Sequence, residues 1–225
     1  HYLHRRQRQM CIRDRVEAFL KSEGVEYIRY ESDAKLYDVV SDALVDGKVI
    51  GWFNGRAEFG PRALGGRSII VDPRRADAKD LLNSKIKRRE SFRPFAPSIL
   101  SEHVKDWFEL DEPVPFMEKV FPIRPERHDE IPAVTHVDGS GRLQSVYADA
   151  TPRYHALISA FHAKSGVPIL LNTSFNENEP IVNAPEHAYA CYARTSMDML
   201  VMENCVVRRA VSYTHLTLPT MQVVV

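Results

Sequence analysis

The chain has 225 residues, 44% hydrophobic and 27% charged, enough for one domain around a single buried core. Its 30 lysines and arginines balance 30 aspartates and glutamates, which excludes a purely electrostatic coat for nucleic acid or a membrane but leaves room for a local basic pocket. No apolar run nears the roughly 20 residues of a bilayer span, no start segment reads as a secretory signal, and the three cysteines (Cys11, Cys191, Cys205) are not spaced as CxxC.

That cysteine usage argues against a disulfide framework or a Cys-based zinc site and points to a reducing cytoplasm. Both ends call for separate treatment. Met10–Arg15 (MCIRDR) is encoded by one short DNA string, ATGTGTATAAGAGACAG. The reverse complement of that string, in another frame, encodes the start of VSYTHL at Val211–Leu216. Two peptides from opposite strands of one DNA element read as translated sequencing adapter. Residues 1–15 and 211–225 are therefore expected to lie outside the native fold, exposed or poorly packed. The apolar tail HLTLPTMQVVV would otherwise suggest a strand.

Between these ends, strand-like and helix-like stretches alternate. Leu36, Val39, Val40, Ala43 and Leu44 recur at helical spacing. Lys48–Phe53 is a short apolar run stopped by Asn54-Gly55, a turn signal. Ser68–Val71 is a β-branched run closed by Asp72-Pro73. Leu81, Leu82 and Ile86 share one face of a helix expected from about Ala76 to Arg88. Asp111–Pro132 holds five prolines and no clear period, so a long loop or flap is expected there. Thr151-Pro152 places an N-cap before proline at the first position of a helix that should end near Gly166. Val167–Leu171 reads as a buried strand. Asn183-Ala184-Pro185-Glu186 has capping-box spacing and opens another helix. Met199–Val207 reads as a final strand. The pattern is α/β, built on a twisted mixed sheet with flanking helices.

Three segments carry chemistry. GRAEFGPRALGGRS, Gly55–Ser68, sets four glycines and three arginines (Arg56, Arg62, Arg67) directly after a strand. Glycines let backbone N–H groups approach an anion, and arginines offer planar forks for phosphate. It is not a Walker A loop, because Gly66 stands where the lysine should be. A tight turn whose arginines pair with Glu58 and Asp72 is the competing reading. KIKRRESFRPFAPSIL, Lys85–Leu100, runs from a basic helix end into an apolar strand and sets Arg93 at the strand entrance. A solvated charged face explains the same composition. VPILLNTSFNENEPIV, Val167–Val182, is an apolar strand ending in Asn172, Thr173, Ser174 and Asn176. Such groups hold nucleotides, and they also form turns that satisfy their own backbone. In THVDGSGRLQ, Thr135–Gln144, His136 and Asp138 are too few for a metal site, and a turn at Asp138-Gly139 is the simpler expectation.

GRAEFGPRALGGRSI, NSKIKRRESFRPFAPSIL, THVDGSGRLQ and LLNTSFNENEPIV, in this order, resemble the C-terminal domain of the carbamoyltransferase family, which includes nodulation and antibiotic O-carbamoyltransferases. The resemblance runs from about Leu36 to Arg208. It implies a YrdC-like fold, a sheet domain that makes adenylates of carbamate-type acids from ATP. It also implies that a Lys-x-Arg motif and a Ser-x-Asn motif bind the nucleotide, matched here by Lys87-Arg88-Arg89 and Ser174-Phe175-Asn176. The domain would occupy 33–210. A preceding domain, similar to the universal tRNA-modifying Kae1 protein, would carry a metal and the acceptor site, with 16–32 as its last helix and strand or a linker.

The implied reaction starts with loss of phosphate from carbamoyl phosphate. Carbamate then attacks the α-phosphate of ATP, giving carbamoyl-adenylate and pyrophosphate, and the carbamoyl group passes to a hydroxyl in the other domain. Charge builds on phosphoryl oxygens, which fixed cations and Mg²⁺ would answer. The resemblance assigns Lys87, Arg89 and Arg93 to phosphate and carbamoyl groups. It assigns Arg56, Arg62 and Arg67 to anion binding, and Ser174 with Asn176 to the nucleotide. No metal ligand is assigned within the chain. The alternative is a YrdC-like nucleotide- or RNA-binding module without transferase activity; the charge balance and the lack of interleaved aromatics in KIKRRESFR count against RNA.

Overall fold

The structure, a computed structural model, describes residues 2–90, 92–110 and 112–209, without the side chains of residues 2–11 and 85. Helix α1 (Tyr2–Ser22) leads through left-handed Gly24 to a short strand β1 (Ile28–Arg29). Helix α2 (Asp33–Val45) buries Leu36, Val40, Ala43 and Leu44, the stripe its spacing predicts. Strands β2 (Ile50–Phe53) and β3 (Arg67–Val71) are buried at every residue. A short helix α3 (Ala78–Leu82) passes into a π-turn at Asn83–Lys87 and then strand β4 (Ala96–Leu100). Helix α4 (Val104–Trp107) and strands β5 (Phe121–Pro122), β6 (Ser140–Gly141) and β7 (Gln144–Val146) follow. Helix α5 (Pro152–Ser165), strand β8 (Ile169–Ser174), helix α6 (Pro185–Arg194) and strands β9 (Met199–Met202) and β10 (Cys205–Arg208) complete the described chain.

Among the described residues, eight strands form one sheet in the order β1-β10-β9-β2-β3-β8-β4-β7. It is mixed: β2–β9 and β4–β7 are parallel, and the other pairs are antiparallel. Strand β8 runs between β3 and β4. Its first half, Ile169–Leu171, is wholly buried, as a strand covered on both faces should be. Its polar end, Asn172 to Ser174, is thereby delivered to the middle of one sheet edge, opposite Ile70 to Ser68 of β3.

Several elements differ from the sequence reading, each for a local reason. The expected final strand is a hairpin, β9 and β10, turned at Glu203-Asn204. Glu203 takes a φ of 55°, a backbone that glycine or asparagine usually supplies, so no turn signal was visible. Thr151 caps α5 as expected but without a side-chain cap bond, and the expected cap of α6 is displaced by one residue. Thr151 Oγ1 donates to Tyr147 O at 3.4 Å, and Ala184, not Asn183, is the N-cap of α6. The 111–132 region is largely loop, as expected, with a 3₁₀ turn at Pro125–Glu130.

The segment that follows residue 15 packs into this domain. Val16 and Leu20 of α1 are fully buried in the same core as the sheet, and Ile12 packs partly against it. Arg13 lies 3.7 Å from Glu203, and Arg15 lies 3.4 Å from Glu186. β1 pairs with β10, so residues 16–32 join this sheet rather than trail from it. The expected tail at 211–225 lies outside the described residues. No described helix is long and apolar enough to cross a membrane.

If α1 is part of the core, Leu20→Ala should destabilise the protein by roughly 2–5 kcal/mol, the range for removing a buried leucine side chain. Urea denaturation measures this; a loss within error would show that α1 is an appendage.

Candidate functional site

The basic helix end and the polar strand end meet at Lys87. The π-turn widens the last turn of the helix, and Arg88 then takes left-handed backbone, φ 44° and ψ 50°. Backbone of this kind is costly for a residue with a Cβ, and π-turns recur at functional sites. It sends three consecutive cations in three directions. Lys87 turns into the protein and is 2% exposed. Arg88 points out to Glu177 at 2.9 Å. Arg89 folds back, its Nε donating to Asn83 Oδ1 at 2.8 Å and its guanidinium lying 4.8 Å over the Phe95 ring.

Lys87 Nζ donates to Ser174 O at 2.5 Å, Asn176 O at 2.7 Å and Asn176 Oδ1 at 2.8 Å, with Ser174 Oγ at 3.3 Å. Ser174 Oγ in turn donates to Asn176 Oδ1 at 2.7 Å. Three short acceptors match the three N–H bonds of an ammonium. Burial, and after it the Arg89 charge, pushes the Lys87 pKa down to about 7. The oxygen acceptors around Nζ favour the protonated form against that burial. Lys87, Ser174 and Asn176 are thus brought together across 87 and 89 residues of chain. Lys87 spends its donors on protein oxygens rather than standing open for phosphate.

Beside this tether, a cleft of about 100 Å³ is lined by Arg62, Arg89, Arg142, Asn172, Thr173 and Ser174, with apolar walls from Phe95 and Met117. Arg62 is exposed, and neither it nor Arg142 has a hydrogen-bond or ion-pair partner among the described residues. Arg142 is half-buried, and burial, then Arg62 and Arg89, depresses its pKa. Among the described residues the lining holds three guanidiniums and no carboxylate. Two buried atoms of cleft-lining residues, Arg142 Nε and Asn172 Oδ1, lack a partner among the described residues. The other side of Asn172 is engaged: Nδ2 donates to Ala63 O, Ser98 Oγ and Gln144 Oε1 at 3.0–3.2 Å. Sequence reasoning missed Arg142. Its signal was present in GSGRLQ, where an arginine follows Gly141 and enters β7.

The glycine-rich segment is organised differently from the phosphate cradle expected of it. Its backbone donors already hold an anion, the Glu58 carboxylate, which accepts from Leu64 N at 2.7 Å and Gly66 N at 2.6 Å. Arg67 is a strut, not a ligand-facing fork. It is 3% exposed, donates to Asn54 O, Gly66 O and Gly55 O at 2.9–3.0 Å, and stacks 3.6 Å over Phe53. Burial pushes its pKa down to about 10. Arg56 is exposed and does not line the cleft, and neither does Arg93, whose Nε pairs with Glu90 at 3.1 Å. The tight-turn reading is therefore right for Arg67, though its partners are backbone carbonyls rather than Glu58 or Asp72. It fails for Arg62.

A second, more open basin of about 440 Å³ includes His103, Lys105, Asp106, Arg124, Arg127 and His162. Its charges are largely engaged: Arg127 with Glu130 at 2.7 Å, His103 with Asp106 at 3.3 Å, and Arg124 Nε with Lys105 O at 2.8 Å. It lacks the uncompensated charge of the arginine cleft. Asp138 forms the expected turn, accepting from Ser140 N at 3.0 Å. Among the described residues no three His, Cys, Asp or Glu side chains converge on a metal position.

Residues 41–209 match the family model described as carbamoyltransferase C-terminus. The chain belongs to this family. Among similar curated proteins, the uncharacterized protein sll1178 of Synechocystis sp. is 47% identical over 218 residues, covering 87% of this chain and 35% of that protein. Nodulation protein NolNO of Sinorhizobium fredii is 48% identical over 179 residues, covering 76% and 26%. The 3'-hydroxymethylcephem-O-carbamoyltransferase of Amycolatopsis lactamdurans is 41% identical over 175 residues, covering 77% and 33%. The chain spans about a third of the length of these relatives. The fold is similar to full-length HypF in its phosphate- and nucleotide-bound form, with TM-score 0.53, 18% identity, and 82% of this chain and 23% of that one covered. It is also similar to Pyrococcus abyssi Sua5 complexed with L-threonine, with TM-score 0.56, 12% identity, and coverage of 79% and 49%. These likenesses show the fold, and the mixed sheet is YrdC-like as the motifs implied.

The buried tether of this carbamoyltransferase domain has a pH signature. The Lys87 pKa is about 7 folded against an ordinary 10.5, so between these values the unfolded state holds a proton that the folded state does not. Stability should therefore rise with pH across that window. The urea midpoint of the native protein should climb from pH 7 to 9.5 more steeply than that of Lys87→Met. Equal slopes would show that Lys87 is not the group responsible.

Proposed function

We propose that this domain binds ATP and carbamoyl phosphate and forms carbamoyl-adenylate, for transfer to an acceptor hydroxyl held by another domain of a longer polypeptide. The observation that carries the reading is the arginine cleft: three guanidiniums with no carboxylate among the described lining residues, at the polar end of strand β8. Leaving cations together without counter-charges costs free energy, and an anionic ligand is the ordinary reason to keep them so. The family membership sets the class of chemistry. The cleft itself is smaller than the roughly 300 Å³ at which whole-ligand pockets begin, so it suits one phosphoryl or carbamoyl group, with the nucleoside outside it.

In this reading water first hydrolyses carbamoyl phosphate to carbamate and inorganic phosphate, and Arg62, Arg89 and Arg142 then take the charge that develops on phosphoryl oxygens as carbamate oxygen bonds to the α-phosphorus and the bond from it to pyrophosphate breaks. Arg62 and Arg142 are set for this because no described residue pairs with them. Lys87 holds the Ser174–Asn176 turn in place, and Ser174, whose hydroxyl proton goes to Asn176 Oδ1, lines the cleft beside it. Thr173 and the apolar walls from Phe95 and Met117 help keep water from carbamate. Arg56 and Arg93 are exposed and would reach the ligand only by moving. The residues present do not fit a resident Mg²⁺, because the cleft offers cations and amides and no carboxylate; no step is assigned to the ion. The acceptor, with its Kae1-like domain, belongs to the longer polypeptide, in the cytoplasm.

Calorimetry with a non-hydrolysable ATP analogue tests the assignment. A charge-assisted hydrogen bond is worth roughly 1.5–3 kcal/mol, so Arg89→Ala and Arg142→Ala should each weaken binding about tenfold or more. Ser174→Ala should cost less, since a neutral hydroxyl bond contributes only about 0.5–1.5 kcal/mol. Arg75→Ala, paired with Asp77 away from the cleft, should change little. No heat at millimolar analogue, or equal effects of Arg75→Ala and Arg89→Ala, would overturn the nucleotide reading.

A further inference from the structure

Glu203 is 2% exposed and sits in a hairpin turn at φ 55°. Both features cost free energy: a buried carboxylate must be paired, and left-handed backbone disfavours a residue with a Cβ. A glycine or asparagine would make the turn more easily. What the glutamate supplies is a grip on the start of the arginine loop. Glu203 N donates to Phe53 O at 2.9 Å, and Glu203 Oε1 accepts from Gly55 N at 2.7 Å.

The other carboxylate oxygen accepts from Arg153 Nη1 at 2.9 Å. Arg153 is itself held from three sides: its Nε donates to Tyr37 Oη at 3.2 Å, and its Nη2 donates to Asp33 Oδ1 at 3.1 Å and to Glu203 O at 3.3 Å. The next residue along α5 is Tyr154, fully buried, whose ring fills the space over Gly65. A Cβ at Gly65 would stand 2.3 Å from Tyr154 Cδ1. The first turn of α5 therefore meets the 55–66 loop at both ends, through Arg153 and Glu203 at Gly55 and through the Tyr154 ring at Gly65. The neck of the loop is closed by Asn54 N donating to Gly66 O at 2.9 Å, and Arg62 lies between these two fixed points.

We propose that Glu203, Arg153 and Tyr154 form a clamp that positions the arginine loop, with Glu203 and Arg153 acting as positioning residues for Arg62 in the cleft. No group of the clamp lines the cleft, so it acts on a ligand only through the loop. The placing of Arg62 rests on the nucleotide reading; the holding of the loop does not.

Amide hydrogen exchange and ATP-analogue calorimetry on Glu203→Gln test the two parts separately. Losing a hydrogen bond from a charged acceptor should speed exchange about tenfold at the amides of Gly55 and Leu64–Arg67, with little change in β8 and β4. Analogue affinity should fall about tenfold, and by much less when Arg62→Ala is already present, because the two changes act through one group. Arg153→Lys, which keeps the charge but not the fork, should show the same pattern and serves if Glu203→Gln does not fold. Unchanged loop exchange in a folded variant overturns the clamp, and so does a uniform rise across the sheet, which marks a purely structural pair. A loosened loop with full additivity against Arg62→Ala overturns the positioning of Arg62. If the unaltered protein binds no analogue, the nucleotide reading fails, and loop exchange alone still decides the clamp.

Discussion

The burial of one ammonium ion organises the site. Lys87 leaves a helix that has been widened into a π-turn and reaches the end of the central strand, where Ser174 and Asn176 surround it with oxygen. Burial disfavours the ammonium form, and a shell of oxygen acceptors offsets part of that penalty at the cost of fixing every group in the shell. That constraint joins two segments far apart in sequence, and Arg88 beside it takes left-handed backbone. The same turn releases Arg89 toward the cleft instead of leaving it on a helix face. Glu177 braces the arrangement from outside, pairing with Arg88 at 2.9 Å and Arg194 at 3.0 Å.

The second organising feature is the division of labour among arginines. Arg67 is consumed by backbone carbonyls and closes the neck of its loop, and Arg74 is consumed by Asp72 at 2.6 Å. Arg62, Arg89 and Arg142 keep their guanidiniums clear of carboxylates and share one cleft. Composition counts all of them alike, but their chemistry differs because their partners differ. A guanidinium satisfied by protein oxygens is a strut, whereas one left without a counter-charge beside others of its kind is poised for an anion. Glu58 makes the same point with the opposite sign. The glycine loop does cradle an anion, and the anion is its own carboxylate.

These distinctions mark how far the sequence could be read. Periodicity placed α2, α5, β2, β3, β4 and β8, because an apolar stripe or a short apolar run leaves few other options. The motifs correctly joined Lys87 to Ser174 and Asn176. The sequence did not reveal where each arginine points, since that depends on a π-turn and on loop closure rather than on local pattern. Arg142 was overlooked because its neighbours read only as a turn. The β9–β10 hairpin was overlooked because Glu203, rather than a glycine, takes the left-handed position; the need for that carboxylate is visible only once Gly55 and Arg153 are seen on either side of it.

In the proposed function the converged motifs form an adenylation centre and not merely a basic pocket. Exchange of labelled pyrophosphate into ATP measures this directly, because the label enters only if the α-phosphoryl bond is broken and remade. The account predicts exchange that requires carbamoyl phosphate and is lost in Arg89→Ala. Binding of ATP with no carbamoyl phosphate-dependent exchange would contradict it.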